Sequence, residues 1–327
     1  MIKLTKAIGI AALLTAATLA RAQSDYPNKA IKIVIPFAPG GVSDAVARPL
    51  AQAMAGILGQ PVVIDNKPGA SGNIALDQVA RSPADGYTLL LGNISTNAMN
   101  QTSYAHTLKS VPAKDLTAVT VIGITPSVLV ASMNFTPRTA SEFVAYAKAN
   151  PGKVNYWLPG IASGPHFDMV QLEKANGIKM TAVPFSGGAG PGMAALIGGQ
   201  VDIGLVNLGG ALPQIKAGKL KALAVSTPNR LSDLADTPTA SEAGLGTLTS
   251  SWHALFVPAA TPKAIVQKVH AAALEAMALP GVKDAIAKTT TIATPSKSPE
   301  VAQNFIVAET SRWAKIITES GVKADAN

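Results

Sequence analysis

There is no cysteine among the 327 residues of this chain. It therefore carries no disulfide, no thiolate nucleophile and no cysteine-based metal site. Histidine is scarce as well. His106, His166, His253 and His270 are isolated, with no i, i+4 pair and no carboxylate pattern of a zinc site. Charged residues make up only 14% of the chain, and no basic run or basic–aromatic stripe points to nucleic acid. The GxxxxGK[ST] phosphate loop and the GxSxG nucleophile elbow are both absent. Gly188-Ala189-Gly190-Pro191-Gly192 resembles a dinucleotide fingerprint only loosely: the spacing is wrong, Pro191 intrudes, and Asp202 follows too soon. No cofactor and no metal are expected.

What is present is a large apolar fraction, 48% of the residues. The length is enough for two domains of ~100–200 residues each. The first 22 residues read as a targeting segment. Lys3 and Lys6 form a basic start, Ala7 to Ala20 is mostly apolar, and Ala20-Arg21-Ala22 offers small residues where a signal peptidase reads them. Cleavage is expected after Ala22, giving a free exported protein in the periplasm. Losing Lys3, Lys6 and Arg21 leaves 24 basic residues against 19 acidic ones, a mildly basic surface.

The chain is organised around Pro36-Phe37-Ala38-Pro39-Gly40-Gly41-Val42-Ser43-Asp44. The apolar run Ile31–Ile35 leads in and a helix-compatible run leads out. Strand, glycine turn and helix in this order aim free backbone N–H groups at one point, where the positive end of the helix macrodipole also lies. Gly40 and Gly41 allow close approach. Ser43 and Asp44 are both good N-cap residues. The stretch suits an anionic group, most simply a carboxylate; an ordinary strand-to-helix turn has the same residues.

Alternation of short apolar strands with helices continues to Val225 and argues for doubly wound α/β layers. The expected strands include Pro61–Ile64, Thr88–Leu91, Val119–Ile124, Val154–Trp157, Met180–Phe185, Val201–Val206 and Trp252–Pro258. Expected helices include His166–Asn176, Pro262–Met277, Pro280–Lys288 and Pro299–Ser320. Loops at 36–44, 69–73, 92–97, 158–166 and 186–192 follow strands, where such folds bind small molecules. His166, at a loop-to-helix junction, suits a ligand or a capping contact; the other three histidines read as surface or packing residues. Ser, His and Asp could still meet in space.

These residues together resemble the Bug (TctC-like) family of periplasmic substrate-binding proteins, which serve tripartite tricarboxylate transporters. Tyr26-Pro27, the first loop, Asp65–Gly72, Pro83–Leu89, Gly164 with His166, Val183-Pro184-Phe185 with Gly187, Leu196–Asp202, Ile215–Leu220 and Ala259–Pro262 carry the likeness in order. It implies an α/β, two-domain, type II-like binding protein with mostly parallel sheets and the ligand in the cleft between domains. Residues 23–123 and 249–327 would form one domain and 124–248 the other. It also implies a carboxylate held by the first loop, largely through backbone N–H groups. The expected ligand-binding residues are Phe37, Ala38, Pro39, Gly40, Gly41, Ser43, Asp44, Ser95, Thr96, Asn97, Trp157, Ser163, His166, Phe185 and Asn207.

Three positions depart from the family pattern. Asn97 stands where many relatives have His. Val206 stands where many have Asp, and losing that carboxylate weakens the case for an amino-acid ligand. Trp157 replaces a small polar residue; it either widens the wall for an aromatic or longer apolar ligand or points into the core. The expected function is capture of a small carboxylate, most simply a dicarboxylate, by a monomer that feeds membrane components of such a transporter. A ligand sensor for a membrane kinase and a secreted hydrolase are the rival readings.

Overall fold

The computed structural model describes residues 26–185 and 189–322. The targeting segment and part of the 186–192 loop lie outside the described residues.

The first sheet begins with β1 (Ile31–Ile35), a β-branched run that is buried almost throughout. It pairs in parallel with β2 (Val62–Asn66) and β3 (Thr88–Asn93). Side chains alternate across it as period-two geometry demands. Ile31, Ile33 and Ile35 enter one core with Val46 and Leu50; Val34 enters the other with Leu76 and Trp313. β4 (Leu116–Thr125), β10 (Ser251–Pro258) and the two-residue β11 (Ile292–Ala293) complete the order β11-β4-β10-β3-β1-β2. Helix α1 (Val42–Leu58) covers the first face and α2 (Asn73–Ala80) the second.

β4 ends at Thr125, and after Pro126 alone the chain enters β5 (Ser127–Ser132) of a second sheet. Helix α3 (Ala140–Ala149), β6 (Asn155–Leu158), α4 (Gly164–Asn176), β7 (Thr181–Pro184), α5 (Ala189–Ile197), β8 (Ile203–Asn207), α6 (Leu208–Lys216) and β9 (Leu220–Val225) follow. The strand order is β7-β6-β8-β5-β9. Both sheets are mixed, not mostly parallel as expected: each keeps parallel pairs, and the antiparallel pairings involve the strands that carry the chain between sheets. The crossovers are tied together: Ser226 N–H donates to Ser127 O at 2.9 Å, and Ser127 N–H donates to Ser226 Oγ at 2.8 Å.

The return leg adds α7 (Lys263–Ala278), α8 (Pro280–Lys288) and α9 (Pro299–Ser320) to the first half. Ser298 Oγ accepts from Val301 N–H and starts α9. Helix α9 also reaches the second half: Trp313 packs edge-on against Phe167 of α4, ring centroids 6.1 Å apart.

Candidate functional site

A cavity of about 480 Å³ lies between the two sheets. The first half contributes Phe37 and Val42 from the start of α1, Asn93 to Ser95 from the end of β3, and Trp313 of α9. The second contributes Trp157, Pro159, Gly164, Pro165, Asp168, Met193, Leu205, Val206, Asn207 and Gly210, with Ser127, Thr249 and Ser251 from the crossovers. The N-termini of α1, α4 and α6 thus converge on one space from both sides, each at the carboxyl end of a parallel strand. Among the described residues no lysine or arginine lines it, and Asp168 is the one ionisable lining residue.

The turn before α1 differs from expectation in one respect. The N-cap is Gly41, extended at φ −78° and ψ 173°, not Ser43 or Asp44. The helix therefore starts earlier, and Asp44 falls at its third position, where a carboxylate reaches back to the preceding backbone. Asp44 Oδ2 accepts from Gly40 N–H at 3.0 Å. The Arg48 guanidinium grips both carboxylate oxygens at 2.8 Å, and Asn66 Nδ2 donates at 3.1 Å. Those bonds hold the Asp44 carboxyl below its ordinary range, the Arg48 hydrogen bond most of all. Asp44 and the Gly40 N–H are thus consumed inside the loop, which corrects the expectation that both face a ligand. No described hydrogen bond uses the N–H groups of Gly41, Val42 or Ser43, so these are the free donors. Gly40 has φ +87°, a conformation that suits glycine.

Ser43 is buried, and its Oγ lies 2.9 Å from Nε2 of His253 on β10. Burial pushes the His253 imidazole down to about 4, so it is neutral, and its Nδ1 has no partner. His253 is thus a packing residue, as its isolation suggests, but one that fixes Ser43. Beyond β3, Asn93 Oδ1 caps the next turn by accepting from Ser95 and Thr96 N–H at 3.0 and 3.1 Å. That wide turn (Ser95–Met99) leaves Ser95 at the cavity and rotates Thr96 and Asn97 inward. Both are fully buried, with Thr96 Oγ1 donating to Asn97 Oδ1 at 2.6 Å, so neither lines the cavity as expected.

In the second half Trp157 satisfies both of its readings. It is 3% exposed in a core cluster, yet it forms cavity wall, with Nε1 unpartnered. Gly192 lies flat against the indole, where a Cβ would overlap the ring. His166 makes the capping contact: Nδ1 accepts from Ala162 N–H at 3.1 Å and closes the loop, in which Ala162 has φ +58°. Burial lowers the titration of that ring. Ser163 is the N-cap of α4, Phe185 packs beside the second core, and neither lines the cavity. Asn207 is the N-cap of α6 and does line it.

Phe37, Ser95, Trp157 and Asn207 are therefore the expected residues at the cavity, with Ala38, Pro39, Gly40 and Gly41 exposed on the adjoining loop. Sequence reasoning missed Asn93, Asp168, Thr249 and Trp313. Asp168 is 4% exposed, accepts from Thr249 Oγ1 at 2.7 Å, and is pushed up to about 7 by burial. Its one available signal was an acid two residues past His166 on a helix whose other early residues are apolar.

Residues 46–322 match the family model described as "Tripartite tricarboxylate transporter family receptor". A protein from the TAR-I ttuE-ttuC' intergenic region of Agrobacterium vitis is 37% identical over 95% of this chain and 91% of its own length. Protein BugT of Bordetella pertussis is 34% identical over 99% of each. Among solved structures, Rpa4515 of R. palustris with adipate superposes with a TM-score of 0.79 at 32% identity, covering 91% of this chain and 99% of its own. MatC from Rhodopseudomonas palustris with bound malate gives 0.75 at 34%, covering 89% and 100%.

Proposed function

The chain belongs to the tripartite tricarboxylate transporter receptor family, and from that premise we propose that it captures a small dicarboxylate between its two halves and hands it to membrane components of a transporter. The observation that carries this reading is the convergence of helix N-termini from both sheets on a cleft with no cationic side chain among the described residues. An anion there is held by backbone N–H groups and helix dipoles. Two opposed sets of donors suit an acid with a carboxylate at each end. Adipate and malate, bound by the two R. palustris relatives, are acids of this kind. The indoles of Trp157 and Trp313 and the ring of Phe37 add apolar wall that suits a longer or aromatic spacer.

The same reading makes the protein a periplasmic monomer freed from its leader after Ala22. Among the described residues no helix is long and apolar enough to cross a membrane. The hydrolase alternative has one point of support, the Ser43–His253 contact. That pair lacks a carboxylate on Nδ1 to orient and charge the base.

Thermal unfolding with a carboxylate panel tests the proposal. A ligand at ~100 times its Kd stabilises by ~2.7 kcal/mol. Melting unmoved by every carboxylate, together with turnover of an ester, would overturn it. Small-angle scattering should then show a smaller radius at saturating ligand, as closure of two halves requires.

A further inference from the structure

Asp168 stands apart from everything else that lines the cleft. The other polar lining groups are backbone, amides, hydroxyls and indole N–H. It sits early on α4, 4% exposed, with Oδ1 accepting from Thr249 Oγ1 at 2.7 Å. The Thr249 backbone also acts on it by hydrogen bonding, but no ion pair and no other side-chain hydrogen bond among the described residues reaches its carboxylate. Charged neighbours act on it from α9 only: Arg312 draws its titration down and Glu309 draws it up. These two bind each other, at 2.7 and 3.0 Å, so their effects partly cancel. On its own helix the nearest ionisable group is His166, kept neutral by burial. β6, β8 and α6 present only Trp157, Leu205, Val206, Asn207 and Gly210 to the cavity.

An ionised carboxylate in this position would repel the acid that the helix ends attract, and Arg312, already paired with Glu309, offsets that only in part. We infer that Asp168 receives a ligand carboxylate in its acid form, so that capture of the ligand takes up one proton. The inference rests on the dicarboxylate reading above. The proton comes from bulk water and rests on the Asp168 oxygen that the Thr249 hydroxyl does not occupy, from which it is donated to the ligand oxygen. No covalent bond other than this O–H forms or breaks. Burial has already raised Asp168 to about 7, and an anionic neighbour raises it further.

Titration calorimetry of the intact protein with adipate and with malate, from about pH 6 to about pH 8.5, tests this; both carboxyls of these acids stay ionised across most of that range. Affinity should weaken by close to ~10-fold per pH unit above about pH 7. Repeating the titration in buffers of different ionisation heat should count close to one proton taken up near the alkaline end. In Asp168→Asn the affinity should change by less than threefold over the range. A wild-type affinity independent of pH overturns the inference and leaves the dicarboxylate reading standing. So does an Asp168→Asn variant that loses malate but keeps adipate, because Asp168 would then be an ionised acceptor for the hydroxyl. If neither these nor any other carboxylate binds at any pH, both fall. The proton count on the wild type decides the question even if the variant does not fold.

Discussion

The two halves of the cleft each contain one buried aspartate, and the two are held in opposite ways. Asp44 lies in the first half against Arg48, Asn66 and the Gly40 N–H, which keep it ionised. Asp168 lies in the second half with Thr249 as its hydrogen-bonding residue and no ion pair among the described residues, and burial raises it. The first carboxylate does not line the cavity and shapes the loop that frees the N–H groups of Gly41, Val42 and Ser43. The second lines the cavity. The same residue type therefore builds the anion-attracting wall on one side and sets a proton-sensitive wall on the other. Hydrogen-bonding partners dominate in the first case and burial in the second.

The largest effect expected concerns the N–H groups themselves. Gly41→Val should fold, since φ −78° is open to any residue and a Cβ there meets only Ala38 O, at 3.8 Å. Its branched side chain would stand where the ligand approaches. Calorimetry should show at least ~100-fold weaker carboxylate binding, or ~2.7 kcal/mol. Undiminished binding in a folded variant would move the anion site away from α1.

Replacing each aspartate by asparagine should then split the two halves. Asp168 titrates near 7 when folded and near ~3.9 when unfolded. Its stabilising protonated form is fully present below the unfolded value and is lost as pH rises through the folded one. Asp168→Asn should therefore melt higher than the wild type at about pH 8, by on the order of 2 kcal/mol, with the gain shrinking toward about pH 5. Asp44→Asn should do the reverse. It removes the charge that Arg48 grips and loosens the Gly40 turn, weakening carboxylate binding by ~1.5 kcal/mol. If both variants shift melting and binding in the same direction, the contrast between the halves is wrong.

Ser43→Ala is the smallest step. It removes the one partner of His253 while keeping the backbone N–H, and should weaken binding by ~1 kcal/mol. A far larger loss, accompanied by loss of an esterase activity, would instead favour the hydrolase reading.

Much of this arrangement is legible in the chain. Ile31–Ile35, Pro280–Lys288 and Pro299–Ser320 have the bounds that apolar spacing and end signals suggest. Gly177 is left-handed, as expected of a residue that closes a helix. The first loop's role as a helix start was readable because strand, glycines and helix are adjacent in sequence. Local pattern could not supply rotation about a helix axis. The turn after β3 is wider than an α-helix, so Thr96 and Asn97 swing into the core and Asn93 takes the cavity position. Nor could it supply distant partners. Ser43 meets His253 across 210 residues, and Asp168 meets Thr249 across 81. β11 escaped notice because two exposed residues carry no periodicity.

The position of β10 bears on how the molecule comes into being. This strand, from residue 251 onward, lies between β3 and β4, both of which precede residue 126. The second sheet draws all its strands from the continuous stretch 127–225, and the later residues that complete its core, Ala240, Leu245 and Leu248, still precede β10. A chain emerging from its N-terminus can therefore close the second sheet first. Until Ser251 to Pro258 arrives, β3 and β4 offer two unpaired edges toward each other, the kind of surface on which strands of other chains add. The last quarter of the polypeptide thus acts as the keystone of the first half.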